Sequence, residues 1–173
     1  MMQRIIVISG LPGSGKSSLA EALAAKLKLP LLSVDPIESA IIKAGFDKNN
    51  KTGLAAYLVA KDLAIEQIKT GNSVIIDAVN AEEDAKDTWR SLAEDSKLSL
   101  ILVETFLDET EHRRRIEARV RNLQGIPEVT WDKVIERRNS YTQWKEPTMK
   151  VDSSKNLSAN LNSVINYLQA SAS

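Results

Sequence analysis

Two rhythms of apolar and polar positions alternate along the chain. Short apolar runs read as strands: Arg4-Ile5-Ile6-Val7-Ile8, then 29–35, 73–79, 99–103 within 98–107, and 149–152. Compact runs bounded by turn residues suit strands buried on both faces, and 73–79 reads as a central one. Between them the period lengthens to that of a helix. Leu19, Leu23 and Leu27 recur one turn apart over 18–27. Further helices are predicted over 35–44, 54–70, 81–97, 109–123, 131–144 and 157–168. Asp35-Pro36-Ile37-Glu38 carries a helix-start signature, with Asp35 as N-cap, Pro36 at the first helical position and Glu38 closing a capping box. Gly45 and Gly71 read as helix stops. The polar segment 46–53 reads as a loop, and Leu54, Leu58, Ile65 and Ile68 mark the apolar face of the helix after it.

Strands alternating with helices predict an α/β fold with a parallel sheet covered on both faces. At 173 residues, 1–173 reads as one domain. Composition then narrows function. Acidic and basic residues balance at 23 each, so bulk charge points to neither nucleic acid nor an anionic membrane. The absence of cysteine excludes disulfides and thiolate metal sites, and a single histidine excludes a multi-histidine zinc site. No apolar run approaches a membrane span, and the opening residues lack signal-peptide features, so a cytoplasmic location is expected.

The first strand and first helix are joined by Gly10-Leu11-Pro12-Gly13-Ser14-Gly15-Lys16-Ser17, which fits the phosphate-binding P-loop pattern. Glycines let such a loop wrap tightly and turn its N–H groups inward, and the helix N-terminus adds its positive dipole end. Lys16 can reach the outer phosphates, and the Ser17 hydroxyl can take a place on Mg²⁺. Asp77 closes an apolar strand, where a carboxylate is costly without a partner; beside a phosphate loop it can help hold the metal. The next residue is Ala78, where P-loop motors commonly place a glutamate that activates water. No Asn-Lys-x-Asp stretch for guanine recognition occurs, since Asn50-Lys51 is followed by Thr52-Gly53. Asp35 falls at the carboxyl end of a strand, where ligands of open α/β folds gather, and could orient an acceptor hydroxyl as well as cap a helix.

The stretch from Glu111 to Arg121 is rich in arginine. Ile116, Val120 and Leu123 form its apolar stripe, with Arg115 and Arg119 on one flank and Arg114 and Arg121 turned toward water. Glu111 can pair with Arg115 and Glu117 with Arg121, whereas Arg119 has no carboxylate one turn away. Arg119 first and Arg115 second are therefore the candidates for a bound polyphosphate. His112 reads as a surface residue. Trp89, Trp131 and Trp144 read as packing residues, and no basic–aromatic alternation marks a nucleic-acid track.

Together Gly10–Ser17, Ser33-Val34-Asp35, Asp77-Ala78-Val79-Asn80 and Arg115-Ile116-Glu117-Ala118-Arg119 resemble the small P-loop kinases of the AAA-type kinase group. That group includes polynucleotide 5′-kinase, chloramphenicol phosphotransferase, and the zeta-toxin and gluconate kinases. The resemblance implies a five-stranded sheet in order 2-3-1-4-5 and a helical lid over ATP at about 109–130. It implies an ATP site from Gly10 to Ser18 with Arg115 and Arg119, Asp77 near Mg²⁺, and Asp35 facing the acceptor hydroxyl. Several members carry an arginine three residues after the first aspartate; here that position is Glu38, which favours a neutral or cationic acceptor. The expected activity is ATP- and Mg²⁺-dependent phosphorylation of a small hydroxyl compound by a monomer or homodimer. The alternatives are a nucleic-acid 5′-hydroxyl kinase, and a nucleotide-binding regulatory or toxin–antitoxin protein without turnover.

Overall fold

The computed structural model describes residues 3–47, 49–118 and 128–171. Five parallel strands, β1 (Arg4–Ser9), β2 (Leu31–Ser33), β3 (Val74–Asp77), β4 (Ser99–Phe106) and β5 (Thr148–Asp152), form one sheet in the order β2-β3-β1-β4-β5. The helices are α1 (Lys16–Leu27), α2 (Val34–Lys43), α3 (Asn50–Lys69), α4 (Glu83–Ser96), α5 (Glu109–Ala118), α6 (Trp131–Ser140) and α7 (Leu157–Ala170). They cover both faces, giving three α/β/α layers. Neighbouring residues of β1 serve opposite cores, because side chains alternate across a strand. Ile5 and Val7 join Ala56, Ala60, Trp89 and Leu92 on one face, while Ile6 and Ile8 join Leu19, Leu23, Val164 and Leu168 on the other. The sheet is thus pinned from both sides, and its carboxyl edge, where β1 feeds the glycine-rich loop, is held in place.

Element order agrees with the sequence reading; several local details do not. Ser33, not Asp35, is the N-cap of α2, and its side chain makes no capping bond. Asp35 sits inside the first turn, where the helix dipole favours an acid. Glu38 closes no capping box on Asp35; its Oε1 accepts a hydrogen bond from Thr52 Oγ1 at 2.9 Å. The expected 46–53 loop is shorter, because Asn49 caps α3 in a reciprocal box with Thr52. The apolar face of α3 is also different. Leu54 and Leu58 are 58% and 50% exposed, while Ala56, Ala60 and Ala64 are fully buried, with Ile65 and Ile68 packed at their edge. Small side chains at helical spacing let α3 lie close against its neighbours, and bulk alone does not reveal that stripe. Helices α1 and α4 reach a left-handed stop without glycine: Lys28 and Lys97 adopt φ of 54° and 55° as their C-caps.

Candidate functional site

The glycine-rich loop is shaped by contacts that leave no room for side chains. A Cβ at Gly10 would stand 2.5 Å from Ser14 Oγ and from Thr105 Oγ1, and 2.7 Å from the Thr105 carbonyl oxygen. That close approach lets Ser14 Oγ and Thr105 Oγ1 hydrogen-bond at 2.7 Å, fastening the loop to β4. Ser14 N donates to Leu11 O at 3.1 Å and closes the turn. Gly15, with φ of 88°, then sets the chain into α1, whose first residue is Lys16. The N–H groups of that first turn have no partner inside the helix, so they are available to an anion.

A cavity of about 300 Å³ lies against this turn, lined by Gly13, Gly15, Lys16, Ser17, Ser18 and, from α5, Arg114, Arg115 and Ala118. Lys16 is only 2% exposed. The structure therefore brings Gly13, Gly15, Lys16, Ser17, Ser18 and Arg115 together. Leu11 and Ser14 line a second cavity instead. Gly10 lies against Thr105 of β4, and the Pro12 carbonyl is turned toward α5. Asp35 and Asp77 are not among the residues lining the first cavity.

Asp77 ends β3 in register with Ile8 of β1 and Ser33 of β2. It is buried, and its Oδ1 lacks a hydrogen-bond partner. A buried carboxylate oxygen without a donor is costly, and a cation is the group that relieves it. A single carboxylate is a donor type that Mg²⁺ takes, since that ion keeps several waters and binds through one or two carboxylates plus phosphate oxygens. Among the described residues no group of His, Cys, Asp or Glu forms a metal cluster of another kind.

Behind Asp77 a polar network secures the carboxyl edge. Asn80, fully buried with φ of 53°, donates to Ser9 Oγ at 2.9 Å and accepts from Trp89 Nε1 at 2.8 Å. Trp144 Nε1 reaches the same Ser9 Oγ at 3.2 Å, and Asn80 N donates to Tyr57 Oη at 3.1 Å. The network joins β1, the segment after β3, α3, α4 and the segment after α6. Trp89 and Trp144 thus pack as expected, but each also carries a specific hydrogen bond. Asn80 was visible in the sequence only as part of a motif. A buried lysine reinforces the same seam: Lys86 reaches Thr142 Oγ1 at 2.5 Å and lies 5.6 Å from the Trp144 ring centroid.

Helix α5 departs most from expectation. Arg115 donates to Glu111 at 2.6 Å and to the Ser153 carbonyl at 2.9 Å, so it is held at the cavity wall. Arg114, expected to turn away, is largely exposed but lines the cavity mouth. Hydrogen bonds from Arg114 and Arg115 pull the Glu111 pKa down to about 2. Glu117 pairs with Arg113 at 2.8 Å. Arg119, the first-ranked arginine, lies outside the described residues, as do Val120, Arg121, Leu123, the expected turn at Gly125-Ile126-Pro127 and much of the expected lid.

His112 is not a surface residue; it is 2% exposed. Its Nε2 lies 2.7 Å from the Pro12 carbonyl oxygen. A carbonyl only accepts, so Nε2 carries the proton and Nδ1 is bare, with Arg138 Nη2 facing it at 3.5 Å. Burial lowers the His112 pKa, Arg138 and Arg115 push the same way, and the Pro12 carbonyl only partly opposes them. Ile116, one turn on, sits against Gly13: a Cβ there would be 2.5 Å from Ile116 Cδ1. Together His112 and Ile116 dock α5 onto the phosphate loop. Their four-residue spacing was the available signal, masked by the charges around them.

Residues 5–141 match a protein-family model described as an AAA domain. An adenylate kinase of Thermobifida fusca is 31% identical over 132 residues, covering 67% of this chain and 67% of that protein. A bifunctional polynucleotide phosphatase/kinase of Schizosaccharomyces pombe is 25% identical over 132 residues, 75% of this chain but only 28% of that protein. Among solved structures, a sugar kinase from a Janibacter species superposes with a TM-score of 0.74 at 15% identity, over 96% of this chain and 95% of that one. At that identity the likeness is one of fold.

Proposed function

This chain belongs to the AAA-domain family of P-loop kinases, and on that premise we propose that it transfers the γ-phosphoryl group of ATP to a hydroxyl of a small molecule. The observation that carries the reading is the cavity at the start of α1, where a buried lysine, open helix-terminal amides and an arginine from α5 converge. In this reading the loop from Gly10 to Ser18 cradles the phosphates. Lys16, Arg115 and Arg119 stabilise charge on the transferring group, and Asp35 positions the acceptor hydroxyl. Ser17 and Asp77 would hold Mg²⁺, which when bound neutralises charge on the β- and γ-phosphates. The unpartnered Oδ1 of Asp77 supports that assignment. Ala78 after Asp77 favours transfer to an alcohol over attack by an activated water. Residues 1–173 work as one kinase domain, with 109–130 as a lid closing over the nucleotide.

The test is ATP consumption by the wild-type protein and by Lys16→Ala, with and without a panel of hydroxyl compounds and 5′-hydroxyl oligonucleotides. Acceptor-stimulated turnover that falls by about 10²-fold or more in a folded Lys16→Ala protein is expected. Stimulation by oligonucleotides alone would assign a nucleic-acid end kinase. Nucleotide binding with no stimulation by any acceptor would assign a regulator.

A further inference from the structure

The second cavity is lined by other residues of the phosphate loop than the first and encloses about 230 Å³. Its walls include Leu11 and Ser14 of the loop, Glu104 from the carboxyl end of β4, His112 from α5, and Arg138 and Tyr141 from α6 and its C-cap. Carboxyl ends of strands are where open α/β sheets hold ligands. Both cavities share the phosphate loop as a wall, so an occupant of the second would stand next to a nucleotide in the first. The volume is below that of pockets for drug-sized ligands and matches something smaller.

Its polar groups are unevenly satisfied. Glu104 is 8% exposed; its Oε1 pairs with Lys150 at 2.7 Å, but its Oε2 has no hydrogen-bond partner. The Tyr141 hydroxyl is also buried, beside the Glu104 carboxylate but outside close hydrogen-bond distance. Arg138, on the cavity wall, is paired with Glu109 at 3.0 Å and faces His112 Nδ1; Lys150 is paired with Glu104, and Lys86 lies 5.2 Å from the Tyr141 ring centroid with its Nζ hydrogen-bonded to Thr142 and the Ala81 carbonyl. A buried carboxylate oxygen left unpaired costs free energy until a donor reaches it. The same oxygen repels a phosphate or carboxylate, and Arg138, the cation on the cavity wall, already has a carboxylate.

Building on the kinase reading, we propose that this cavity seats part of the phosphoryl acceptor, while Asp35, which does not line it, faces the reacting hydroxyl. Glu104 Oε2 accepts a hydrogen bond from a second hydroxyl or an ammonium group of that acceptor, and Tyr141 Oη makes another. The acceptor is a small neutral or cationic hydroxyl compound carrying no phosphate or carboxylate. Glu104 is thus a specificity-determining residue, distinct from the groups around the phosphates.

The experiment measures acceptor KM, kcat and ATP affinity for wild type, Glu104→Gln and Tyr141→Phe, with a panel of neutral polyols, amino alcohols and amino sugars, sugar acids and sugar phosphates. Glutamine keeps an oxygen for Lys150 but presents an amide donor where Oε2 stood. Acceptor KM should rise about 10–100-fold in Glu104→Gln, the loss of a hydrogen bond to a charged group, with ATP affinity unchanged. Tyr141→Phe removes a buried hydroxyl that stands beside Glu104, so its melting temperature should change little while acceptor KM rises; it carries the test if Glu104→Gln does not fold. Unchanged acceptor KM in Tyr141→Phe and in a folded Glu104→Gln overturns the cavity assignment and leaves the kinase reading standing. Turnover confined to sugar acids or phosphates overturns the acceptor class. No stimulation by any compound in a protein that binds ATP overturns the kinase reading and this proposal with it.

Discussion

Replacing His112 with phenylalanine isolates the contact that ties α5 to the phosphate loop. Phenylalanine is similar in size and can keep the edge-on ring contact with Trp131, now at 5.5 Å between centroids. What disappears is the Nε2–H bond to the Pro12 carbonyl at 2.7 Å, in a side chain that is only 2% exposed. Leaving a buried acceptor unsatisfied costs about 1–3 kcal/mol, while retaining the aromatic contact preserves roughly 0.5–1.5 kcal/mol that alanine would also lose. For a chain of this length a loss near 2 kcal/mol lowers the melting temperature by roughly 4–8 °C. The pH dependence adds a second, independent signature. The folded-state pKa of His112 is lowered from the ordinary 6.5, chiefly by burial, so the unfolded chain binds the proton more readily. The histidine's contribution is therefore complete above 6.5 and is lost as pH falls through the lowered folded-state value. Thermal melts of both proteins from about pH 8 to about pH 5 should show a gap that narrows on acidification. Equal melting temperatures at neutral pH, or a gap that is constant with pH, would show that the imidazole does not hold the loop.

Other residues separate in the same way. Asp35→Asn should sharply reduce acceptor turnover while ATP affinity by calorimetry holds; because Asp35 lies inside the first turn of α2, a stability loss of only about 0.3–1 kcal/mol is expected. Unchanged turnover would remove Asp35 from the acceptor site. Asp77→Asn removes a buried charge with an unpartnered oxygen, so its metal-free melting temperature should hold or rise while the Mg²⁺ enhancement of ATP affinity shrinks. A large drop in metal-free stability would mark Asp77 as structural instead. Arg119→Ala should impair turnover by up to roughly 10³–10⁵-fold, as for arginines that stabilise a transferring phosphoryl group, and Arg121→Ala should have little effect. Equal, small losses in the two variants would remove Arg119 from the nucleotide site.

Much of this architecture is written locally. The five apolar runs and the helical periods between them predict an alternating α/β chain, and the P-loop pattern declares itself because a strand, a glycine-rich turn and a helix start are consecutive. The boundaries that moved, at Asp35 and at 46–53, moved because several residues there can serve as caps; Ser33 and Asn49 took those places.

What the chain could not declare by itself is which polar side chains the fold buries. His112 sits in a run of charges and reads as solvated, yet it reaches Pro12, one hundred residues away. Asn80 meets Ser9 and Trp144, and Glu104 lies beside Tyr141 with an oxygen unclaimed, through pairings no local window contains. The buried alanine stripe of α3 likewise depends on how closely its neighbours approach. Periodicity reports which face of an element is apolar, because that is a property of successive residues. Burial of a single charge or hydroxyl, and hence its chemistry, depends on what distant segments bring against it, and only the assembled sheet and its helices decide that.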